Sequence, residues 1–186
     1  PLLGRLKKAR ISLPGGCIIG ARPINLHLKG FESLGAKITI QSGYVEANGK
    51  RLAGAEMFLG GRAGSTVLGT ANVMMAAVLA EGVTVIESAA CEPEVVDLAN
   101  FLIAMGAKIT GAGSPTMIIT GVKKLHGAEH EVIPDRIEAA TFAIAAAATD
   151  GEVTIKGARA DHLHAVLDKL RASGVSVIRR GNDMIV

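Results

Sequence analysis

The sequence has few aromatic residues and no long apolar run. Its 186 residues include no Trp, one Tyr and four Phe, which argues against the stacking platforms that bind single-stranded nucleic acid. The net charge of +3 is mild. The basic clusters at residues 5–10 and 179–180 are interpreted as solvated surface, so no nucleic-acid partner is expected. No segment approaches the ~18 apolar residues that a membrane span needs, so no membrane association is expected.

Cysteine is also scarce, with Cys17 and Cys91 as the two examples. They form no Cys-x-x-Cys motif and no His/Cys cluster, which excludes a zinc site; neither a metal nor a cofactor is expected. Such usage suits a reducing compartment, and a cytoplasmic location is expected. Cys91 lies beside Glu92 and Glu94, whose charges disfavour a thiolate. We interpret it as a passive small side chain, and a disulfide to Cys17 is the less favoured alternative.

A pattern with a period of roughly 70 residues runs through the chain. Leu34-Gly-Ala-Lys-Ile38 returns as Met105-Gly-Ala-Lys-Ile109 and more loosely as Ser173-Gly-Val-Ser-Val177. Apolar residues spaced by three and four predict helices before these glycines, and short β-branched runs predict strands after them. We therefore predict an α/β (α+β) chain of repeated βαβαββ units, the first of them truncated at its beginning.

The three repeats differ most between their first strand and second helix. This interval is longest in the first repeat, where it holds Cys17 and Arg22 among several glycines. Loops on a rigid scaffold carry binding groups, so the expanded one is the predicted site. Glycine permits close approach of a ligand, and Arg22 suits paired contacts with phosphate oxygens. A surface turn with an incidental thiol is the alternative from spacing alone.

The loop sequence is Leu13-Pro-Gly-Gly-Cys-Ile-Ile-Gly-Ala-Arg-Pro-Ile-Asn-Leu-His27. It resembles the bacterial UDP-N-acetylglucosamine enolpyruvyl transferase (1-carboxyvinyltransferase) family, whose catalytic loop carries this Pro-Gly-Gly-Cys pattern. The resemblance continues through Leu79-Ala-Glu-Gly82 and Pro134-Asp-Arg-Ile-Glu138 and covers essentially the whole chain. The related shikimate-pathway transferases share the repeats but lack the cysteine loop.

For the fold, the resemblance implies a two-lobed protein of the inside-out α/β barrel type, with three repeats in each lobe and a substrate cleft between them. Residues 1–132 would be the later part of the cysteine-loop lobe, and residues 133–186 the opening unit of the second lobe. We expect the chain to be a piece of that protein, since it begins at Pro1 and stops within a predicted hairpin strand. Family residues needed for turnover lie outside it, so the isolated chain is expected to be inactive.

For the chemistry, the resemblance implies transfer of the enolpyruvyl group of phosphoenolpyruvate to the 3-hydroxyl of UDP-N-acetylglucosamine, with release of phosphate. This is the first committed step of peptidoglycan synthesis, and hence of cell-wall biogenesis, cell shape and cell division. Cys17 would be the general acid, and the antibiotic fosfomycin alkylates that cysteine in the family. The expected partners are the two substrates and the remaining part of the same enzyme.

For substrate binding, the resemblance implies two stretches. The first contacts the UDP-sugar and comprises Arg22, Pro23, Ile24, Asn25, Leu26 and the adjacent His27. The second meets the diphosphate at a helix start and comprises Gly64, Ser65, Thr66 and Val67. Asn25 stands where the family usually has Asp. A structural role for His27 and a simple capping turn at residues 64–67 are the alternatives.

Two further functions compete with the transferase. The chain could be a non-catalytic binding or scaffold fragment of an enolpyruvyl transferase-like protein, in which case an exposed apolar surface should make it self-associate. A generic cysteine enzyme, such as a hydrolase or peroxidase, is a distant third, because no His stands at a plausible dyad spacing from Cys17.

Overall fold

The computed structural model describes residues 1–14, 23–62 and 64–186. The predictions for Cys17 and Arg22 therefore lie outside the described residues. The helices are α1 Leu2–Leu6, α2 Asn25–Ser33, α3 Val67–Ala77, α4 Pro93–Ala104, α5 Arg136–Ala148 and α6 His164–Ala172. The strands are β1 Lys8–Ser12, β2 Lys37–Gln41, β3 Tyr44–Asn48, β4 Glu56–Phe58, β5 Gly60–Gly61, β6 Gly64–Ser65, β7 Val83–Glu87, β8 Lys108–Thr110, β9 Thr116–Thr120, β10 Thr154–Ile155, β11 Ile178–Arg180 and β12 Asp183–Ile185.

Three sheets share one arrangement of strands. Their orders are β1-β3-β2, β4-β7-β9-β8 and β10-β12-β11. In each, the first strand of a repeat pairs antiparallel with its last strand, and a hairpin joins the last two. In the second repeat, β4 adds a parallel partner to β7. This common path confirms the predicted α/β class and the repeated units.

The second helix of every repeat ends in the same hydrogen-bonded turn. Gly35, Gly106 and Gly174 follow α2, α4 and α6 with φ of +88°, +96° and +87°. Each glycine N–H donates three residues back, and the next N–H donates five back, as in Ala36 to Phe31. This is a Schellman motif, in which a left-handed residue lets the chain turn off the helix. Glycine adopts that conformation without steric cost, which explains the recurring sequence pattern.

The chain folds into two compact parts, Pro1–His130 and Glu131–Val186. The first part contains two repeats around a core to which α3 contributes Val73 and Met74, both fully buried. The core of the second part combines the buried alanines of α5 with larger apolar side chains such as Leu167 and Met184. Small alanine side chains let neighbouring elements pack close to the helix backbone.

The second part opens with a capped helix. The carboxylate of Asp135 accepts from the N–H groups of Ile137 and Glu138 at 2.8 and 3.1 Å, so it satisfies two donors at the start of α5. Within the described residues, no helix combines the length and apolar character needed to cross a membrane. The same residues include no group of three or more His, Cys, Asp or Glu side chains placed to hold a metal.

Candidate substrate site

The first predicted binding stretch forms the approach to α2 and its first turn. Pro23 and Asn25 are exposed, whereas Ile24, Leu26 and His27 are partly buried. Ile24 occupies the N-cap position and offers no side-chain acceptor to the helix start. Such acceptors normally satisfy the first N–H groups of a helix, so the start of α2 depends on other groups for them.

The second predicted stretch begins in the strand β6, which pairs with β5, and leads into α3. Gly60 and Gly61 pair with Ser65 and Gly64, and Gly64 has φ of +96°. Thr66 is the N-cap of α3, and its hydroxyl oxygen accepts from the N–H of Gly69 at 3.2 Å. The capping turn considered for this stretch is therefore present, with Thr66 as the cap.

The fold brings these two stretches together. A Cβ placed on Gly61 of β5 would lie 3.2 Å from Cδ1 of Leu26. Further along, a Cβ on Gly30 of α2 would lie 2.3 Å from Cγ2 of Val73 on α3. Only glycine permits that approach, so α2 and α3 pack with their backbones close at this point. The starts of both helices thereby share one side of the first compact part.

A hydrogen bond joins His27 to α3. The amide nitrogen Nδ2 of Asn72 lies 3.2 Å from Nδ1 of His27. Partial burial lowers the pKa of His27 below its ordinary value by desolvation of the charged form. The imidazole is therefore neutral at pH 7. Sequence reasoning missed Asn72, although an amide inside the largely apolar Val67–Ala77 helix is a signal that could have drawn attention to it.

An apolar cavity of about 320 Å³ adjoins both residues. It reaches Pro14 and Ile24, the described residues near either end of residues 15–22, and it is lined further by side chains from β1, β3 and α2: Ala9, Ile11, Val45, Ala47, Leu28 and Phe31. A larger cavity of about 440 Å³, between α1, α3 and α4, touches none of the predicted binding residues. The smaller cavity is therefore the one associated with the predicted site.

The matching interval of the second repeat lies between β7 and α4 and contains Cys91. Cys91 is exposed, and its thiol lies 3.6 Å from the carbonyl oxygen of Ala89. The neighbouring N–H of Ala90 donates to the buried hydroxyl of Thr70 on α3 at 3.0 Å. This interval is thus attached to α3 by its backbone, and Cys91 itself faces solvent.

Comparison with known proteins decides the family. The family model described as EPSP synthase (3-phosphoshikimate 1-carboxyvinyltransferase) matches residues 1–186. The chain belongs to this family. The fold agrees, since the enolpyruvyl transferase NikO from Streptomyces tendae superposes with a TM-score of 0.80 at 23% identity, covering 100% of this chain and 44% of that one.

Within the EPSP synthase family, the more similar relatives carry another name. A UDP-N-acetylglucosamine 1-carboxyvinyltransferase 1 from Caldanaerobacter subterraneus is 60% identical over 95% of this chain and 42% of its own length. A UDP-N-acetylglucosamine 1-carboxyvinyltransferase from Desulfatibacillum aliphaticivorans is 54% identical over 100% of this chain and 44% of its own length. The resemblance read from the cysteine loop is thereby confirmed. The chain spans less than half the length of these relatives.

Proposed function

We propose that this chain is part of an enzyme that moves the enolpyruvyl group of phosphoenolpyruvate to the 3-hydroxyl of UDP-N-acetylglucosamine. The observation that carries the proposal is 54–60% identity to relatives named for that transferase, together with the Pro14-Gly-Gly-Cys17 pattern. The reaction belongs to the whole protein, in which residues 1–132 complete one lobe and residues 133–186 open the other. Its setting would be peptidoglycan synthesis in the cytoplasm.

The proposed chemistry needs an acid at the cysteine loop. The sugar 3-hydroxyl loses its proton to a base in the remaining part of the enzyme and adds to C2 of phosphoenolpyruvate, while C3 gains a proton from the Cys17 thiol; this gives a tetrahedral phospholactoyl intermediate and a Cys17 thiolate. Loss of a C3 proton then expels phosphate and leaves the enol ether. An ordinary cysteine thiol, with a pKa of about 8.5, is mostly protonated at neutral pH and can donate this proton. Arg22 would pair with phosphate oxygens, since its guanidinium offers two parallel donors.

The described residues support a nucleotide-sugar site beside that loop. The N–H groups at the starts of α2 and α3 lie on one side of the first part, next to Leu26, His27 and Thr66. Helix starts favour anions because their N–H groups are unpaired and the helix dipole is positive there. We assign the diphosphate to this region, with Pro23 to His27 and Gly64 to Val67 as the contacting stretches.

Fosfomycin labelling of the whole protein tests the proposal. Intact mass and peptide mapping should show one adduct on Cys17, formed faster when UDP-N-acetylglucosamine is present. Cys91→Ser is the matched control and should label like the wild type, whereas Cys17→Ser should not label. The isolated 186-residue chain should show no acceleration by the nucleotide sugar. Absence of label on Cys17 in the whole protein would contradict the assignment.

A non-catalytic binding role is the second candidate, and one observation favours it. Helix α5 leaves Ile137, Phe142 and Ile144 between 51% and 60% exposed, which gives it an uncovered apolar surface of the kind that mediates association. Sedimentation velocity on the isolated chain would show concentration-dependent dimers, and a Phe142→Gln/Ile144→Gln double variant should reduce them. A scaffold of this kind would form such dimers without any labelling of Cys17.

A further inference from the structure

The contact between Asn72 and His27 determines where the histidine carries its proton. The amide nitrogen of Asn72 can only donate, and it lies 3.2 Å from Nδ1 of His27. Nδ1 must then accept with its lone pair, which places the ring proton on Nε2. No other hydrogen bond to the His27 ring occurs among the described residues, so Asn72 is the group that sets this tautomer. The histidine is a neutral donor through Nε2–H.

The surroundings keep the ring neutral. His27 and Asn72 both line the 320 Å³ cavity, and no Asp, Glu, Lys or Arg side chain joins them among its described lining residues. A carboxylate near the ring would favour the imidazolium; its absence from this lining and the partial burial of His27 act in the other direction. A neutral imidazole can give one well-placed hydrogen bond to an oxygen acceptor without introducing a fixed charge.

The contact also joins the two proposed binding stretches. His27 ends the first stretch, whereas Asn72 stands on α3, which begins at Val67 in the second stretch. The adjacent residue Val73 is where α2 approaches α3 through Gly30. Because the packing there is tight, a rotation of either helix would break the Asn72–His27 bond. The bond therefore restricts the relative position of the starts of α2 and α3.

We infer that Asn72 is a positioning residue for the nucleotide sugar, holding His27 as an Nε2–H donor toward an oxygen of that ligand and fixing α2 against α3. The inference rests on the proposed function for the identity of the ligand. The tautomer of His27 does not rest on the proposed function. The tautomer and the role of Asn72 in ligand binding can therefore be tested independently.

Nitrogen NMR of the His27 ring in the full chain tests the first half. Wild type should show the Nε2–H tautomer. Asn72→Asp keeps the side-chain shape but replaces the donor by a carboxylate, so His27 should become protonated on Nδ1. Asn100→Asp, at an exposed position of α4, is the matched control and should leave the His27 signals unchanged. A wild-type ring protonated on Nδ1 would mean that the amide oxygen faces it, and would overturn the inference.

Steady-state kinetics of the whole protein test the second half. Asn72→Leu should raise KM for UDP-N-acetylglucosamine about tenfold, the size expected for one lost hydrogen bond, whereas Asn72→Asp should raise it less, because an imidazolium keeps the Nε2–H donor. The value of kcat should change by less than about threefold, since Asn72 is not assigned to the reacting atoms. An unchanged KM in the correctly folded Asn72→Leu variant would overturn the inference. A wild-type protein without transferase activity would instead overturn the proposed function, while the ring spectrum would still identify the tautomer.

Discussion

The first and second repeats have the same frame and different intervals between strand and helix. Both end their second helix in a Schellman turn, at Gly35 and Gly106, and both return through an antiparallel hairpin. Between β1 and α2 the first repeat has residues 13–24, but between β7 and α4 the second has only residues 88–92. Hydrogen bonds and packing fix the shared helices and strands, so the interval is where a repeat can carry functional residues at little cost in stability.

The helices that follow these intervals, α2 and α4, also differ at matching positions. Counting back from the shared glycine, Gly30 and His27 of α2 correspond to Phe101 and Leu98 of α4. In the second repeat the aromatic ring stacks on His130, with ring centroids 5.1 Å apart, and the position serves packing. In the first repeat the missing side chain lets α2 lie against α3, and the polar residue bonds to Asn72. At these two positions, the first repeat thus has a glycine and a polar side chain, whereas the second has two large apolar side chains.

The largest expected difference between the repeats is catalytic. Cys17→Ser in the whole protein should lower kcat for phosphate release by about 10²–10⁴, the range for loss of a general acid. Cys91→Ser should stay within about twofold of wild type, because Cys91 is exposed in the short interval and faces solvent. Phosphate release at saturating substrates is the measurement. Equal losses in both variants would show that the longer interval has no special role.

The close approach of α2 to α3 should be sensitive to one methyl group. Gly30→Ala would place Cβ 2.3 Å from Cγ2 of Val73, and overpacking of about 1–3 kcal/mol outweighs the gain of about 1 kcal/mol in helix propensity. We expect the free energy of unfolding to fall by up to about 2 kcal/mol in urea titrations.

Two further variants separate this clash from other effects. Gly127→Ala has no atom within 4 Å of the new Cβ and should be neutral or stabilising by less than about 1 kcal/mol. Gly30→Ala combined with Val73→Ala should cost less than the sum of the two single variants, because the second change removes the clashing methyl. Additive losses would place the effect of Gly30→Ala elsewhere.

The order of helices and strands could be predicted from the sequence, because the same local patterns recur in all three repeats. The recurring Gly-Ala-Lys and Gly-Val-Ser turns, the three-and-four spacing and the β-branched runs led to the observed order of helix, hairpin and sheet. The close approach of the two proposed binding stretches could not be predicted from such patterns. It depends on Gly30 and Gly61, whose missing side chains matter only once α2, α3 and the β5–β6 pair are in place. Asn72 was missed because its partner is 45 positions away in sequence.

The shared turns give a comparison with a smaller expected effect. Alanine at Gly35, Gly106 or Gly174 must adopt a positive φ, at a cost of about 1 kcal/mol each. At Gly106 the new Cβ would also lie 3.0 Å from Nε2 of His126, whereas Gly174 has open space around it. The loss in unfolding free energy should therefore be largest for Gly106→Ala. A larger loss for Gly174→Ala than for Gly106→Ala would contradict this ranking, because the new Cβ at Gly174 meets no atom within 4 Å.

The smallest expected effect is a pH dependence at the helix position where the first repeat has His27 and the second has Leu98. Burial lowers the pKa of His27 in the folded chain, so the unfolded chain takes up its proton first as pH falls. The stability from this group is present above the unfolded pKa of about 6.5 and is lost as pH falls through that value toward the lower folded pKa. His27→Gln removes the contribution, so the difference in urea midpoint between wild type and variant should shrink as the pH falls from 7.5 to 5.5.

Asn72→Asp should reverse the sign of this pH dependence. A carboxylate about 3 Å from Nδ1 raises the pKa of the His27 ring, so the folded state becomes the one that binds the proton first. A His27→Gln difference that does not change with pH would mean that the ring has the same proton affinity in both states, and that its contact with Asn72 does not depend on a neutral imidazole.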